Sequence, residues 1–363
     1  MRGILQKLDR YIIFKFLGTY FFAILLIVSI AVVFDITEKI DDFIEKGAPL
    51  NAIVVDYYAN FIPYFANLFT PLFVFIAVIF FTSKMAYQTE IIAILSSGVS
   101  FKRLMFPYLV GSLVIAVFSF WLGAYVIPPA NKTRLAFETV YIKKQKDRGL
   151  QDIHLQLEPG LFVYMGRYYA LRNRGTYFGS ERFEGKTLKS KLSAQSIVFN
   201  EEADNWTISD YVIQNFSDDH TIEIIEGSKL DTVFNMTPKD FTEEHNWHET
   251  MNNSELIEYI DAQTKKGVGA IQPFKIEYYK RWANPFSAFI LSLIGVSLAS
   301  RKVRGGMGLH IGVGLALSFT YILFMTISTT FAVNGSMNPL LAVWIPNIVF
   351  SLIGVYLYQK APK

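Results

Sequence analysis

Residues 191–216 read KLSAQSIVFNEEADNWTISDYVIQNF, two stretches of alternating polar and apolar residues on either side of a polar turn. A period of two places the apolar side chains of a strand on one face. Similar stretches occur at 160–172 and 220–230, separated by Asn, Asp and Gly. The polar segment 131–272 is long enough for one sandwich or jelly-roll domain, so we predict an antiparallel all-β domain there.

Long apolar segments lie on both sides of this polar segment. A helix that crosses a bilayer needs about 20 mostly apolar residues. Three such segments precede the β-domain, and we expect Pro128 and Pro129 to end the third, because proline cannot continue a helix. Three more follow a short amphipathic helix predicted at 254–267. The six predicted spans cover 16–34, 58–81, 104–127, 278–299, 309–333 and 340–358.

The composition agrees with a membrane protein. Hydrophobic residues make up 52% of the chain, charged residues 18%, and the mean hydropathy is +0.30, which is more apolar than a soluble domain. A dispersed net charge of +3 argues against a nucleic-acid partner, and the absence of cysteine excludes thiol chemistry. We predict an α-helical membrane protein with six transmembrane helices and an inserted extracytoplasmic, jelly-roll-like β-domain, divided as 1–130, 131–272 and 273–363.

The basic residues of the short loops predict the orientation of the spans. Lys and Arg favour the cytoplasmic side. They precede the first span, lie between the second and third and between the fourth and fifth, and follow the sixth, so both termini are expected in the cytoplasm and the β-domain outside it. These residues are Arg2, Lys7, Arg10, Lys15, Lys84, Lys102, Arg103, Arg301, Lys302, Arg304, Lys360 and Lys363.

Two short motifs resemble catalytic or metal sites. GSERFEGKT at 179–187 has one residue too many for a phosphate-binding loop, and it lies in the β-rich segment, so a hairpin turn at Gly185 is favoured. HNWHE at 245–249, with Glu243 and Glu244 before it, matches no zinc-protease order, so a polar loop with exposed histidines is favoured over a metal site. We therefore expect no metal, no cofactor and no catalysis in this chain.

The loop between the second and third spans, QTEIIAILSSGVSFKRLMFP at 88–107, is more apolar than a solvated loop. Its apolar residues recur at helical spacing, Glu90 suits the first turn of a helix, and Gly98 suits its end. A short helix is predicted, whose apolar face is covered either by lipid or by a groove on another protein. The apolar residues are Ile91, Ile92, Ile94 and Leu95.

Two patterns stand out in the second group of spans. Gly308, Gly312 and Ala316 recur every four residues in the fifth span, which makes a smooth face for another helix, either within the subunit or on a partner. Glu277 and Arg281 are four residues apart and predict an ion pair on one helix face. A charged pair at that depth must be satisfied or functional.

Three motifs, widely separated in the chain, accompany this topology. They are Glu90, Ala93, Leu95, Gly98 and Ser100 followed by Pro107; Glu277, Arg281 and Pro285; and Pro339, Trp344, Pro346 and Asn347. Together they resemble the LptF/LptG permease family, the two related transmembrane subunits of the ABC exporter that extracts lipopolysaccharide from the bacterial inner membrane. The resemblance covers nearly the whole chain.

The resemblance implies a set of partners. A second LptF/LptG-type permease would enclose a cavity with this chain, with the first and fifth spans as lateral gates. The helix within 88–99 would be a coupling helix seated on a cytoplasmic ATPase dimer, which binds the ATP. The β-domain, a jelly roll in the family, would pass lipid to a periplasmic β-jelly-roll bridge protein by edge-strand pairing.

The resemblance also implies basic residues that meet the phosphates of the lipid, a charge pairing with sound chemistry. The candidates are Lys39 and Lys46 after the first span and Lys132 and Arg134 after the third. Two other classes of protein remain open on the residues alone. One is a membrane receptor or assembly factor whose β-domain binds a ligand, and the other is a lipid-modifying enzyme.

Overall fold

A computed structural model describes residues 6–142, 150–169, 172–201, 203–217, 221–238, 247–266, 271–301 and 306–361. The chain divides into two compact units. The helical unit comprises Met1–Ile142, His248–Asn253 and Gln272–Lys363, and the β-unit comprises Lys143–Trp247 and Ser254–Ile271. The predicted fold class, a helical membrane protein with an inserted β-domain, is confirmed.

Helices precede and follow the β-strands. Before them lie α1 Lys7–Glu45, α2 Leu50–Ala52, α3 Ala59–Leu68, α4 Thr70–Tyr87, α5 Glu90–Ser96, α6 Phe101–Trp121 and α7 Ile127–Tyr141, with π-helical turns at Ile53–Tyr58 and Leu122–Val126. After them lie α8 Asn253–Lys266, α9 Gln272–Ala283, α10 Phe286–Ala299, α11 Gly306–Val333 and α12 Pro339–Gln359. Among the described residues, length and composition allow five membrane-spanning helices, or six if α9 and α10, bent by 50°, form one span.

The prediction that Pro128 and Pro129 end the third span is wrong. After the π-helical turn Leu122–Val126 the helix continues as α7 to Tyr141, with both prolines in the first turn of α7. The amides of a first turn have no partner within the helix, so proline is tolerated there. Residues 131–141, the predicted start of the β-domain, are therefore helical and pack within the helical unit.

The second predicted span, 58–81, is divided at Phe69 into α3 and α4. Pro71 lies at the start of α4 and has no N–H to donate to the carbonyl four residues earlier, which interrupts the helical hydrogen bonds at this position. The apolar span itself is α4, which ends six residues later than predicted, at Tyr87.

Helix α4 lies at the centre of the helical unit. It packs against α1, α10 and α11, and α10 in turn packs against α6 and α12. Phe73 and Phe75 of α4 and Leu291 and Ile294 of α10 are fully buried. Helices α1 and α11 lie at the periphery, and each leaves large apolar side chains exposed, as lipid or another subunit requires.

In the described part of the β-unit, six antiparallel strands form one open sheet in the order β1 to β6. A jelly roll has Greek-key connections, whereas the described strands follow one another as a meander. The apolar side chains of one face form the core, and the indole Nε1 of Trp206 donates to the carbonyl of Met236 at 3.0 Å. The strands are β1 Leu150–Glu158, β2 Leu161–Tyr169, β3 Arg174–Glu184, β4 Thr187–Asn200, β5 Asn205–Phe216 and β6 Ile222–Thr232.

The hairpin predicted for GSERFEGKT is confirmed. Glu184 pairs with Thr187 at the end of β3 and the start of β4, which leaves a two-residue turn. Gly185 has φ +62°, the left-handed conformation that such tight hairpins require. The motif is a turn of the sheet.

Candidate functional site

The predicted loop helix is present as α5, a helix of seven residues in the segment between α4 and α6. Thr89 before it has φ +63° and Gly98 after it has φ +87°, so the chain turns sharply on both sides. The Gly98 amide donates to the Leu95 carbonyl at 3.1 Å, which ends the helix as predicted. Ser100 is the N-cap of α6, where its hydroxyl accepts from the Arg103 amide at 3.3 Å.

The apolar side chains of α5 divide into two groups. Ile91 is buried, and Ile94 and Leu95 pack against the core of the helical unit. Ile92 is 50% exposed, and the neighbouring Ala93 is exposed as well. The subunit therefore covers part of this helix itself and presents only a small apolar surface outward.

The second and third motifs meet at the break between α9 and α10. Pro285 is the N-cap of α10, and the Ser287 amide donates to Asn284 at 3.0 Å, so the Ala283 carbonyl has lost its usual helical donor. Asn347 of α12 supplies a donor instead, from Nδ2 at 3.0 Å. Its Oδ1 accepts from the Tyr321 hydroxyl of α11 at 2.8 Å. One asparagine of α12 thus joins the end of α9 to α11.

The other residues of these motifs lie beside this contact. Trp344 packs against the ring of Phe286 at 5.3 Å, and Pro346 is buried inside α12. Tyr321 was missed by the sequence analysis, because one tyrosine in an apolar span has no distinguishing pattern. Its contact with α12 depends on how the two helices pack.

Glu277 and Arg281 form the predicted ion pair, with Arg281 Nε 2.9 Å from Glu277 Oε1. Arg281 is 5% exposed, and its Nη1 also donates to Asn253 Oδ1 at 2.8 Å. The pair therefore connects α9 to the segment that returns from the β-strands. A buried guanidinium with two fixed acceptors holds that segment in one place.

Glu249, the last residue of HNWHE, lies in a partly buried polar cluster of the helical unit. Its carboxylate accepts from the Tyr64 hydroxyl and from Asn131 Nδ2, each at 3.4 Å. Arg134 lies with its guanidinium 4.8 Å from the Tyr64 ring and pairs with Glu138 at 2.7 Å. Of the other residues in the possible metal set, His248 is described, with its ring 5.8 Å from that of Phe274, whereas Glu243, Glu244 and His245 lie outside the described residues.

Burial raises the pKa of Glu249 from 4.5 to about 7, and the charge of Glu277 acts in the same direction, while Lys280 and Arg134 oppose both. A carboxyl with a raised pKa takes up a proton on folding between these two values. The free energy of unfolding should therefore fall as the pH rises from about 4.5 to 7. The loss of stability caused by burying the charged Glu249 carboxylate is fully present above about pH 7 and absent below about pH 4.5.

We expect Glu249→Gln to stabilise the helical unit by about 1–3 kcal/mol at pH 8 and to change little at pH 4.5, because it removes the cost of a buried charge. Thermal melting in detergent at both pH values measures this. Glu258→Gln, which alters an exposed carboxylate of α8, is the matched control and should melt like the parent. A Glu249→Gln variant that melts below the parent at pH 8 would contradict the prediction.

The candidate phosphate contacts occupy different environments. Lys39 Nζ lies 2.6 Å from Asp35 Oδ1 and also donates to the Tyr57 hydroxyl, while the Tyr58 hydroxyl donates to Asp35 at 3.1 Å. Its charge is thus paired inside the subunit. Arg134 is buried, Lys46 is half-buried and Lys132 is exposed.

Residues 10–360 match the family described as lipopolysaccharide export system permease LptF/LptG. The chain belongs to the LptF/LptG family. No match is found among curated proteins. Membership makes the chain a membrane-embedded permease, a transport subunit of lipopolysaccharide export, and the match spans all three motifs and both units.

In this LptF/LptG permease the small-residue face of α11 is open. A Cβ added at Gly308 or Gly312 would meet nothing within 4 Å, and Ala316 is exposed. Gly314 lies on another face, where an added Cβ would come 2.3 Å from Ile79 Cδ1 of α4. The described part of the subunit packs α11 through Gly314 and leaves the predicted face uncovered.

The sheet of the permease carries a cavity of about 780 Å³. It lies along β1 to β4, and most of its lining is apolar or aromatic, which suits a hydrocarbon ligand. The sequence analysis anticipated a lipid-binding β-domain but not the residues of the cavity, because strand register decides which side chains share a face. Its lining includes Leu155, Phe162, Val163, Tyr164, Phe178 and Leu192.

Proposed function

We propose that this chain is one of two permease subunits of an ABC exporter in the bacterial inner membrane. The exporter extracts lipopolysaccharide from the outer leaflet and passes it to a periplasmic bridge protein. Both termini and α5 face the cytoplasm and the β-unit faces the periplasm, an orientation supported by the basic residues of the short loops. ATP is bound and hydrolysed by a separate ATPase dimer.

The observation that carries this proposal is the outward surface of α5. A helix of seven residues has little stability of its own, and here it is anchored by buried Ile91 between two sharp turns. Such anchoring holds exposed Ile92 and Ala93 in a fixed position, as docking into a groove on a partner requires. Glu90 in the first turn supplies a charge that can pair with a basic residue of the ATPase.

The peripheral helices support the gate part of the proposal. Exposed apolar side chains on α1 and the open Gly308 and Gly312 of α11 suit close approach of helices from the second permease. Lys132 is exposed and would meet a lipid phosphate directly. Lys39 would exchange Asp35 for the phosphate, since its charge is paired within the subunit.

The β-unit supports transfer to the bridge. Its cavity takes acyl chains, and an open sheet has two edges whose backbone groups can pair with a strand of another domain. Strand β6, at one edge, carries the exposed side chains of Ile222, Ile224 and Ile225. These side chains would be covered when a bridge strand pairs with β6.

The proposal predicts that Ile92→Asp and Glu90→Lys each reduce ATPase co-purification at least tenfold, because each places an unfavourable charge in the docking contact. Leu95 is a poorer choice, because it packs against the core of its own subunit. Ile257→Asp, at an α8 residue with 51% exposure against 50% for Ile92, is the matched control. It should bind ATPase as the parent does.

The measurement is a pull-down of the detergent-solubilised protein, with thermal melting to show that each variant is folded. Loss of the ATPase from the folded α5 variants, with retention in the control, supports the proposal. Binding of ATPase by neither parent nor variants, or equally by all, contradicts it. A receptor or assembly factor would then become the better explanation.

A further inference from the structure

Asp9 is a buried charge in the first turn of α1. It is 1% exposed, and its Oδ2 accepts from the Gln6 amide at 2.8 Å. Its two carboxylate oxygens also accept from Nη1 and Nη2 of Arg103, each at 2.6 Å. Such a bidentate pair is stronger and more restrictive in geometry than a single ion pair. It joins the first turn of α1 to the first turn of α6.

Apolar contacts extend this connection along both helices. Ile12 and Phe16 of α1 are fully buried. The ring of Phe16 fills the space beside Gly111 of α6, where an added Cβ would lie 2.6 Å from Phe16 Cδ1. The centre of the Phe16 ring also lies 6.0 Å from that of the Tyr108 ring. The first turns of α1 are therefore packed against α6 as one body.

Arg103 is close in sequence to α5, the proposed contact with the ATPase. Only residues 97–100 separate α5 from α6, and the Ser100 side chain fixes the position of the Arg103 amide. A displacement of α5 therefore moves the start of α6. Separating Arg103 from Asp9 would leave a buried carboxylate without its cation, which is costly, so the pair moves together.

We propose that Asp9 and Arg103 are positioning residues that make α1 follow α5 when the ATPase subunits close. The pair converts a displacement of the docking helix into a displacement of the gate helix. This inference rests on the proposed function, in which α5 contacts the ATPase and α1 borders the lipid path. It adds the residues that couple the two.

The absence of cysteine allows this movement to be measured directly. Cysteines introduced at exposed Phe22 of α1 and exposed Leu352 of α12 accept spin labels, and the distance between the labels is recorded in the reconstituted complex with its ATPase, with and without nucleotide. In the parent, nucleotide should change this distance. In Arg103→Gln the change should fall to a third or less, while ATPase binding stays within twofold of the parent.

Two further variants make the experiment decisive. Lys102→Gln removes a positive charge from the preceding residue, whose side chain is exposed. In this variant the distance between the labels should change as it does in the parent. Arg103→Lys keeps the charge but loses the bidentate geometry, and should give a reduced change. If Arg103→Gln does not fold, Arg103→Lys decides the question, with reduced movement supporting the inference and full movement overturning it.

The two levels of the proposal fail in different ways. The proposed function and this inference are both overturned if the parent binds no ATPase. They are also both overturned if the distance between its labels does not change when nucleotide is added. A parent that binds and moves, with an Arg103→Gln variant that moves by the same distance, overturns the inference alone. In that case the packing of Phe16 against α6 is sufficient for coupling.

Discussion

Replacing Arg281 with glutamine is expected to lower the free energy of unfolding of the helical unit by about 3 kcal/mol. Arg281 is buried and donates to both Glu277 and Asn253. Its removal leaves the Glu277 carboxylate at a mostly buried position without a cation, and it frees the segment held by Asn253. Breaking a buried ion pair from one side is costly for this reason.

Thermal melting of the purified protein measures the effect, and a double-mutant cycle isolates the pair. Glu277→Gln should also destabilise, and the Glu277→Gln/Arg281→Gln double variant should lose less than the sum of the two. Arg281→Lys should recover only part of the stability, because an ammonium cannot reproduce two directed contacts. Additive effects in the cycle would show that Arg281 and Glu277 do not act as a pair.

Replacing Gly314 with leucine is expected to destabilise the helical unit by about 1–3 kcal/mol or more. Helix α11 packs directly against α4 at this glycine. An added Cβ would come 2.3 Å from Ile79 Cδ1 and 3.1 Å from the ring of Phe75. Both partners lie in the packed centre of the unit, so neither can move without disturbing its neighbours.

Gly312→Leu is the matched control, because the two glycines are only two residues apart and their directions differ by about 200° around the helix. Nothing lies within 4 Å of a Cβ at Gly312, so this variant should melt like the parent. If α11 borders the second permease, Gly312→Leu should instead reduce co-purification of the two permeases about tenfold. Equal melting of both glycine variants would contradict the observed packing.

Much of the architecture followed from local patterns. Apolar length predicted the spans, and alternation predicted the strands of the β-unit. The spacing of Glu277 and Arg281 predicted their ion pair, and Gly98 was correctly expected to follow the loop helix. These features depend on residues within a few positions of one another, where helix and strand geometry dictate the contacts.

The exceptions were positions where local rules compete. Pro128 and Pro129 were expected to stop a helix, but a π-helical turn places them in a new first turn, where they are compatible with helix. The helical spacing of the α5 residues predicted an apolar face but not its division into covered and exposed parts. That division depends on where α5 lies against the helical core.

By itself the sequence determined the membrane class, the inserted β-unit, the existence of α5 and the resemblance to LptF/LptG permeases. Only the tertiary structure decided that Asn347 donates a hydrogen bond to the Ala283 carbonyl and that Arg103 pairs with Asp9, 94 residues away in the chain. It also decided that no other side chain packs against Gly312 in the described structure. The physical reason is that hydrogen-bond periodicity and apolar spacing act locally along the chain. The pairing of buried polar groups depends on helix packing, which brings together residues that no local pattern relates.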